Sequence, residues 1–239
     1  MPLLDDIRQM IQNNSEDLQE YFDAIQEVGV GAADRLSVLR NPGVMTGLRN
    51  VLGIQRALAV AAALMDGCFE WRSPGMNGFY TQLFNKCYMD NQASGLNRFI
   101  NNGPTHQTLN CWESVLVGLF LLGYLSEQQI YNNIYSGLVE EPSLPSPQVW
   151  YALEYSTTNE FERNNISPPP GVLLYYVPAN NGRLTQSFPN HVAVSIGNFQ
   201  AISLWTQPNG INAAQRINVI NDFPNSRIFV GDPARIFHV

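Results

Sequence analysis

The sequence is short of charge and of cysteine, and each shortage narrows what the protein can be. Charged residues make up 14% of the chain and the formal net charge is −7. No run of Lys or Arg occurs, which excludes the basic footprint of a nucleic-acid-binding surface. The three cysteines, Cys68, Cys87 and Cys111, are odd in number and far apart. They make no disulfide framework and suit a reducing compartment. No close Cys pair of zinc-site spacing is present, nor a Gly-Lys-Ser/Thr phosphate loop, nor a Gly-x-Ser-x-Gly elbow. No cofactor or metal is therefore expected. The opening run "MPLLDDIRQMIQNN" lacks a basic segment and a long apolar core, so no secretory signal is expected. The greasiest runs, "ALAVAAALM" (57–65) and "VLVGLFLLGYL" (115–125), fall short of the ~18 residues of a membrane span. The reading is a protein made in the cytoplasm, whose export would need a specialised secretion system.

What is present is a chain of 239 residues, 45% hydrophobic, ample for a packed core. Its first half has helical periodicity. Leu3, Ile7, Met10 and Ile11 share a face, as do Leu18, Phe22 and Ile25 behind a Ser15 cap. "NPG" (41–43) reads as a break, after which Thr46 caps a longer helix that Gly67 stops. A short helix is expected near 79–89, then a polar loop, then a helix from Cys111 to about 124. Ser126 and Gln129 make a capping box for another that ends at Gly137. "EEPSLPSP" (140–147) reads as a linker. After "SPPP" (167–170) the period falls to two. "GVLLYYVP", "HVAVSIG", "FQAISLW", "RINVI" and "RIFVGDP" read as strands separated by turns. The expected fold class is α+β, with a helical N-terminal region (1–105) and a region (106–239) whose antiparallel sheet packs on the helix carrying Cys111.

The stretch "TLNCWESVLVGLF" (108–120) places a thiol at the start of an apolar helix. With Asn110 as N-cap, Cys111 is N1 and Glu113 is N3, and Asn-x-x-Glu is a variant capping box. The helix dipole favours a thiolate there and the Glu113 charge opposes it, so a nucleophile at this position needs a basic partner. His191 opens the strand "HVAVSIG". Val192, Val194 and Ile196 point to one face, and His191, Ala193 and Ser195 to the other. A single imidazole among small residues suits a base offered to a helix terminus. A third group orients such an imidazole. A turn at Gly197–Asn198 would set Leu204 opposite His191, and a three-residue loop would set Ser203 there. Gln207, Asp222 and Asp232 are the other candidates.

The run "GVLLYYVP…NHVAVSIGNFQAIS", with a cysteine at an earlier helix start, resembles the NlpC/P60-type papain-like cysteine peptidases. The resemblance covers roughly 108–125 and 171–205. The family carries an Asp-Cys-Ser-Gly type run where this chain has "NCWE". It implies Cys111 as nucleophile, His191 as general base, and Ser203 where the family's third polar residue sits. It also implies amide cleavage by acyl transfer, with the Cys111 amide and either Gln107 or His106 as oxyanion donors. The absence of a secretion signal is similar to bacterial effector toxins on this fold. That implies a peptidoglycan stem peptide as substrate, with an immunity protein and a secretion machine as partners. The same dyad would serve a glutamine deamidase or an acyltransferase. In the contrasting reading, a catalytically inactive binding protein, Cys111 is core and Trp112, Trp150, Trp205, Tyr175 and Tyr176 form a recognition surface.

Overall fold

The computed structural model describes residues 2–71, 107–130, 159–162, 166–185, 189–205, 210 and 213–239. The helix expected near 79–89, the linker at 140–147, the end at Gly137, and Cys87, His106, Trp150 and Gln207 lie outside the described residues.

Four helices lead the chain: α1 (Pro2–Gln12), α2 (Leu18–Gln26), α3 (Ala32–Leu39) and α4 (Pro42–Met65). Two start points differ from those the sequence suggests. The cap of α2 is Asp17, whose carboxylate accepts the Gln19 N–H at 2.9 Å, while Ser15 Oγ donates to Glu20. "NPG" falls at the break between α3 and α4, as expected, but it also starts α4: the cap is Asn41, and Thr46, expected as the cap, lies inside the helix. Asn41 caps the Val44 N–H and Pro42 occupies the first turn, where a missing N–H costs nothing. α4 is itself interrupted at Gly53, whose φ of 71° and ψ of 176° are open to glycine alone. By length and composition α4 is apolar enough to cross a membrane, a property the sequence hides by dividing its apolar stretch. In this structure 61% of its most apolar window is buried.

Beyond α4 comes a short parallel pair, β1 (Phe69–Trp71) with β2 (Gln107–Leu109), which the sequence does not signal. β2 feeds directly into α5 (Cys111–Leu121), followed by α6 (Glu127–Ile130). The remaining strands are β3 (Asn159–Glu160), β4 (Leu173–Asn180), β5 (Arg183–Leu184), β6 (His191–Gly197), β7 (Gln200–Trp205), β8 (Ala213–Asn218) and β9 (Ser226–Gly231). They form one antiparallel sheet in the order β3-β9-β4-β6-β7-β8, with β5 on β4. The described chain is thus α+β, with its sheet packed against the helix that begins at Cys111. "GDP" closes β9 and opens a helix that the strand pattern conceals. Asp232 caps α7 (Pro233–Phe237) through the Ala234 N–H.

The sheet separates two apolar layers. One contains α1 to α5, α7 and the sheet residues Leu173, Tyr175, Val192, Val194, Ile202 and Leu204. The other contains Leu174, Tyr176, Ala193, Ala201, Ile217, Phe223 and Ile228. The N-terminal helices therefore share a core with the sheet. Arg35 ties them down by donating to the Ile25 carbonyl on α2 and to the Asp66 carbonyl that ends α4. Burial raises the Asp66 carboxyl above its ordinary range, against the pull of Arg35 and Arg216.

Candidate functional site

α5 begins as the sequence predicts. Asn110 Oδ1 accepts the Glu113 N–H and Glu113 Oε2 accepts the Asn110 N–H, each at 2.8 Å. Both residues are buried, so this reciprocal pair fixes the switch from β2 into helix just where Cys111 sits. Cys111 is half-buried, and the Ser114 hydroxyl donates to its carbonyl.

α5 runs antiparallel to α4. Its middle, at Gly118, is close-packed on Leu58 and Met65, and its far end accepts Arg49 at the Gly123 carbonyl. The Gly67 N–H, just past the end of α4, donates to the Ala214 carbonyl, and Ala214 pairs with Leu204. The start of α5 is therefore at the end of the sheet where β6 begins with His191 and β7 ends with Trp205. Its face is the other one. Ser114 lines a small cavity with Val194, Ile202 and Leu204, on the side opposite His191. The cysteine helix covers the branched aliphatic face of β6, not the face of small residues that carries the imidazole.

His191 is 1% exposed and lies among three aromatic rings. Its centroid is 4.6 Å from Trp205, 5.6 Å from Phe223 and 5.7 Å from Tyr176. Nε2 pairs with Ser203 Oγ at 2.8 Å, and Nδ1 is buried without a hydrogen-bond partner. Neither ring nitrogen is bonded to Cys111. Burial alone pulls the imidazole down from 6.5 to about 3, because the surrounding rings cannot solvate a charge. The histidine is neutral at physiological pH.

The register differs from both sequence alternatives. The β6–β7 turn is Asn198–Phe199, each with positive φ, preceded by a bulge between Ser195 and Gly197. Ser203 pairs with Ala193, so the position opposite His191 is Trp205, and neither Leu204 nor Ser203 occupies it. Ser203 reaches Nε2 on the diagonal, two residues along the same face. Asn-Phe is not one of the dipeptides that announce such a turn, and the bulge shifts the count by one. Of the other candidates for the third group, Asp222 accepts the Asn218 N–H and Asp232 caps α7. Sequence reasoning missed Phe223 and Tyr176 as neighbours of the imidazole. Phe223 comes from the turn after β8, and no local pattern links it to His191. Trp112, Tyr175 and Tyr176 are fully buried, so they do not form a recognition surface.

Comparison of the chain with family models, with curated proteins and with solved structures finds no match.

Proposed function

We propose that the protein is a papain-like cysteine hydrolase that cleaves an amide bond by acyl transfer, with Cys111 as nucleophile, His191 as general base and Ser203 orienting the imidazole. The observation that carries this reading is the held imidazole: Nε2 is tied to Ser203 while Nδ1 is left without a partner, at the sheet end where the cysteine helix starts. A base oriented by one nitrogen has the other for the thiol proton. Cys111 then attacks the carbonyl, the amine leaves with a proton from His191, and water releases the acyl group. Productive transfer needs Nδ1 and the thiol within about 3.2 Å, so the acting form brings the first turn of α5 round the sheet end to the ring, which stays held by Ser203. The proposed substrate is a peptidoglycan stem peptide, with an immunity protein as the producer's protection. The same residues would serve deamidation of a protein glutamine.

The test is expression with a periplasmic signal in a bacterial host, together with digestion of purified peptidoglycan. Lysis and released peptide ends should both vanish in Cys111→Ala and in His191→Gln. Lysis that persists in Cys111→Ala would sink the reading, and toxicity confined to the cytoplasm would redirect it to a deamidase or protease with an intracellular target.

A second reading is favoured by the opposite-face arrangement of thiol and imidazole. In it the protein is a catalytically silent binding protein, and His191 with Ser203 is a buried packing pair. It predicts no peptide release, and for His191→Gln a change in stability alone.

A further inference from the structure

The N-terminal helix pair carries a groove on its outer side that amide cleavage does not use. α1 buries Leu3 and Ile7, and α2 buries Tyr21, Phe22 and Ile25, so each helix has another face turned away from the core. Asp6, Gln9, Met10 and Asn13 line the groove from α1 and the turn after it. Glu20, Asp23, Ala24 and Glu27 line it from α2 and its C-cap. Both sets are spaced i, i+3, i+4 and i+7, the stripe that one helix presents to a neighbour. Met10 and Ala24 are partly buried against the core and make the floor, and the six polar residues around them are exposed. The groove holds about 610 Å³, room for a row of side chains.

Charge says what fits there. Residues 1–27 hold seven carboxylates against Arg8 alone, which accounts for six of the net charge of −7. Four of the seven stand in the groove. Ser15 donates to Glu20 and Gln19 to Asp23, but both donors are neutral. The cations nearby pair elsewhere, Arg8 with Asp5 and Arg56 with Glu16. No group of three His, Cys, Asp or Glu among the described residues could hold a metal ion. Nucleic acid and anionic lipid share the sign of the groove, and a second copy of this chain is itself acidic. An extended peptide docks by main-chain bonds to a sheet edge, which two helix faces do not offer.

We propose that the α1–α2 groove is the docking surface for a basic amphipathic helix of a partner protein. The apolar stripe of that helix rests on Met10 and Ala24, and its Lys and Arg side chains reach Asp6, Glu20, Asp23 and Glu27 along the walls. The attraction is between exposed charges, so it weakens with salt.

The experiment is a fluorescence anisotropy titration of the intact protein into a labelled synthetic peptide of Leu and Lys, with Leu spaced to make one helical face. The control peptides are the same composition in scrambled order and the same face with Glu in place of Lys. Saturable binding of the first peptide alone, weakened by salt, is expected. Asp6→Asn with Asp23→Asn should weaken it roughly tenfold. Asp5→Asn with Glu16→Gln removes as much charge outside the groove and should change it less than about twofold. Ala24→Gln keeps the charge but raises the floor, and should also weaken binding. The four acidic positions are exposed, so the charge pairs decide the matter even where Ala24→Gln unfolds. Absent binding, equal binding of the scrambled peptide, or equal losses from the two charge pairs overturns the proposal. Binding is read without substrate and on residues apart from Cys111 and His191, so this idea and amide cleavage fail separately.

Discussion

Gly171 lies directly against Gln55: a Cβ built on the glycine would come within 1.7 Å of the Gln55 carbonyl oxygen. This contact joins the approach to β4 to the α4 segment just beyond its interruption at Gly53. Gly171 has a φ of +84° and its N–H donates to the Ser195 carbonyl on β6, so the glycine also sets how the His191 strand meets its neighbour.

Gly171→Ala should therefore be among the most damaging small substitutions in the chain. Backbone cannot be displaced as a side-chain tip can, and left-handed strain adds to the overlap. The expected loss exceeds ~3 kcal/mol. Gly53→Ala has a φ of +71° but nothing within 4 Å of the added atom, so strain alone should cost about 1–3 kcal/mol. Urea unfolding of both variants checks the ordering, and equal losses would contradict it.

The Asn110–Glu113 pair should prove a stability element as well as a positioning one. Asn110→Ala removes the acceptor for the Glu113 N–H in a buried place, and a loss of about 2 kcal/mol is expected. Asn110→Ser should recover most of it, because Ser is an equally good cap. Denaturant midpoints read this directly. A neutral Asn110→Ala would mean the helix start is held by packing.

Stability should fall with acid through His191. In the unfolded chain the ring takes a proton near 6.5, while in the folded protein it stays neutral down to about 3. Its stabilising contribution is thus complete above pH 6.5 and is lost as the pH drops from 6.5 towards 3, at roughly 1.4 kcal/mol per pH unit. Between pH 7 and pH 5 this group should remove about 2 kcal/mol. His191→Phe, which cannot titrate, should be less acid-sensitive by that amount in urea melts at the two pH values.

Cys68 should be inert in the native state. It is fully buried, its thiol donates to the Leu64 and Ala32 carbonyls, and burial drives it up to about 12. In a Cys87→Ser, Cys111→Ser background, alkylation at pH 8 should be negligible without denaturant and should rise with the unfolded fraction. Labelling as fast as a free thiol would show that the end of α4 opens locally.

How far the sequence reaches is clear from particular residues. Leu3, Ile7, Phe22 and Ile25 announced α1 and α2 by spacing alone, and Asn110 with Glu113 announced the start of α5, because caps and helical faces are local. The runs 173–177 and 191–196 announced β4 and β6 as short stretches rich in branched and aromatic residues between turn signals, and both strands are buried on both faces. The caps at Asp17 and Asn41 were misread because several side chains in each stretch were chemically able to cap, and packing chose among them. The α+β class and the face of β6 that carries His191 were thus determined by sequence.

Tertiary structure decided the rest. A bulge and a turn at Asn198–Phe199 moved Ser203 off the position opposite His191, yet left it on the same face, within bonding distance of Nε2. The assembly of Phe223, Trp205 and Tyr176 around the ring joins residues from separate strands and a turn, and it sets the low affinity of His191 for a proton. Which face of the sheet the cysteine helix covers follows the apolar layer that α4 shares with Val192, Val194 and Ile196 of β6, into which α5 packs. Periodicity says that a strand has two faces, but only the packed chain chooses which neighbour each face meets.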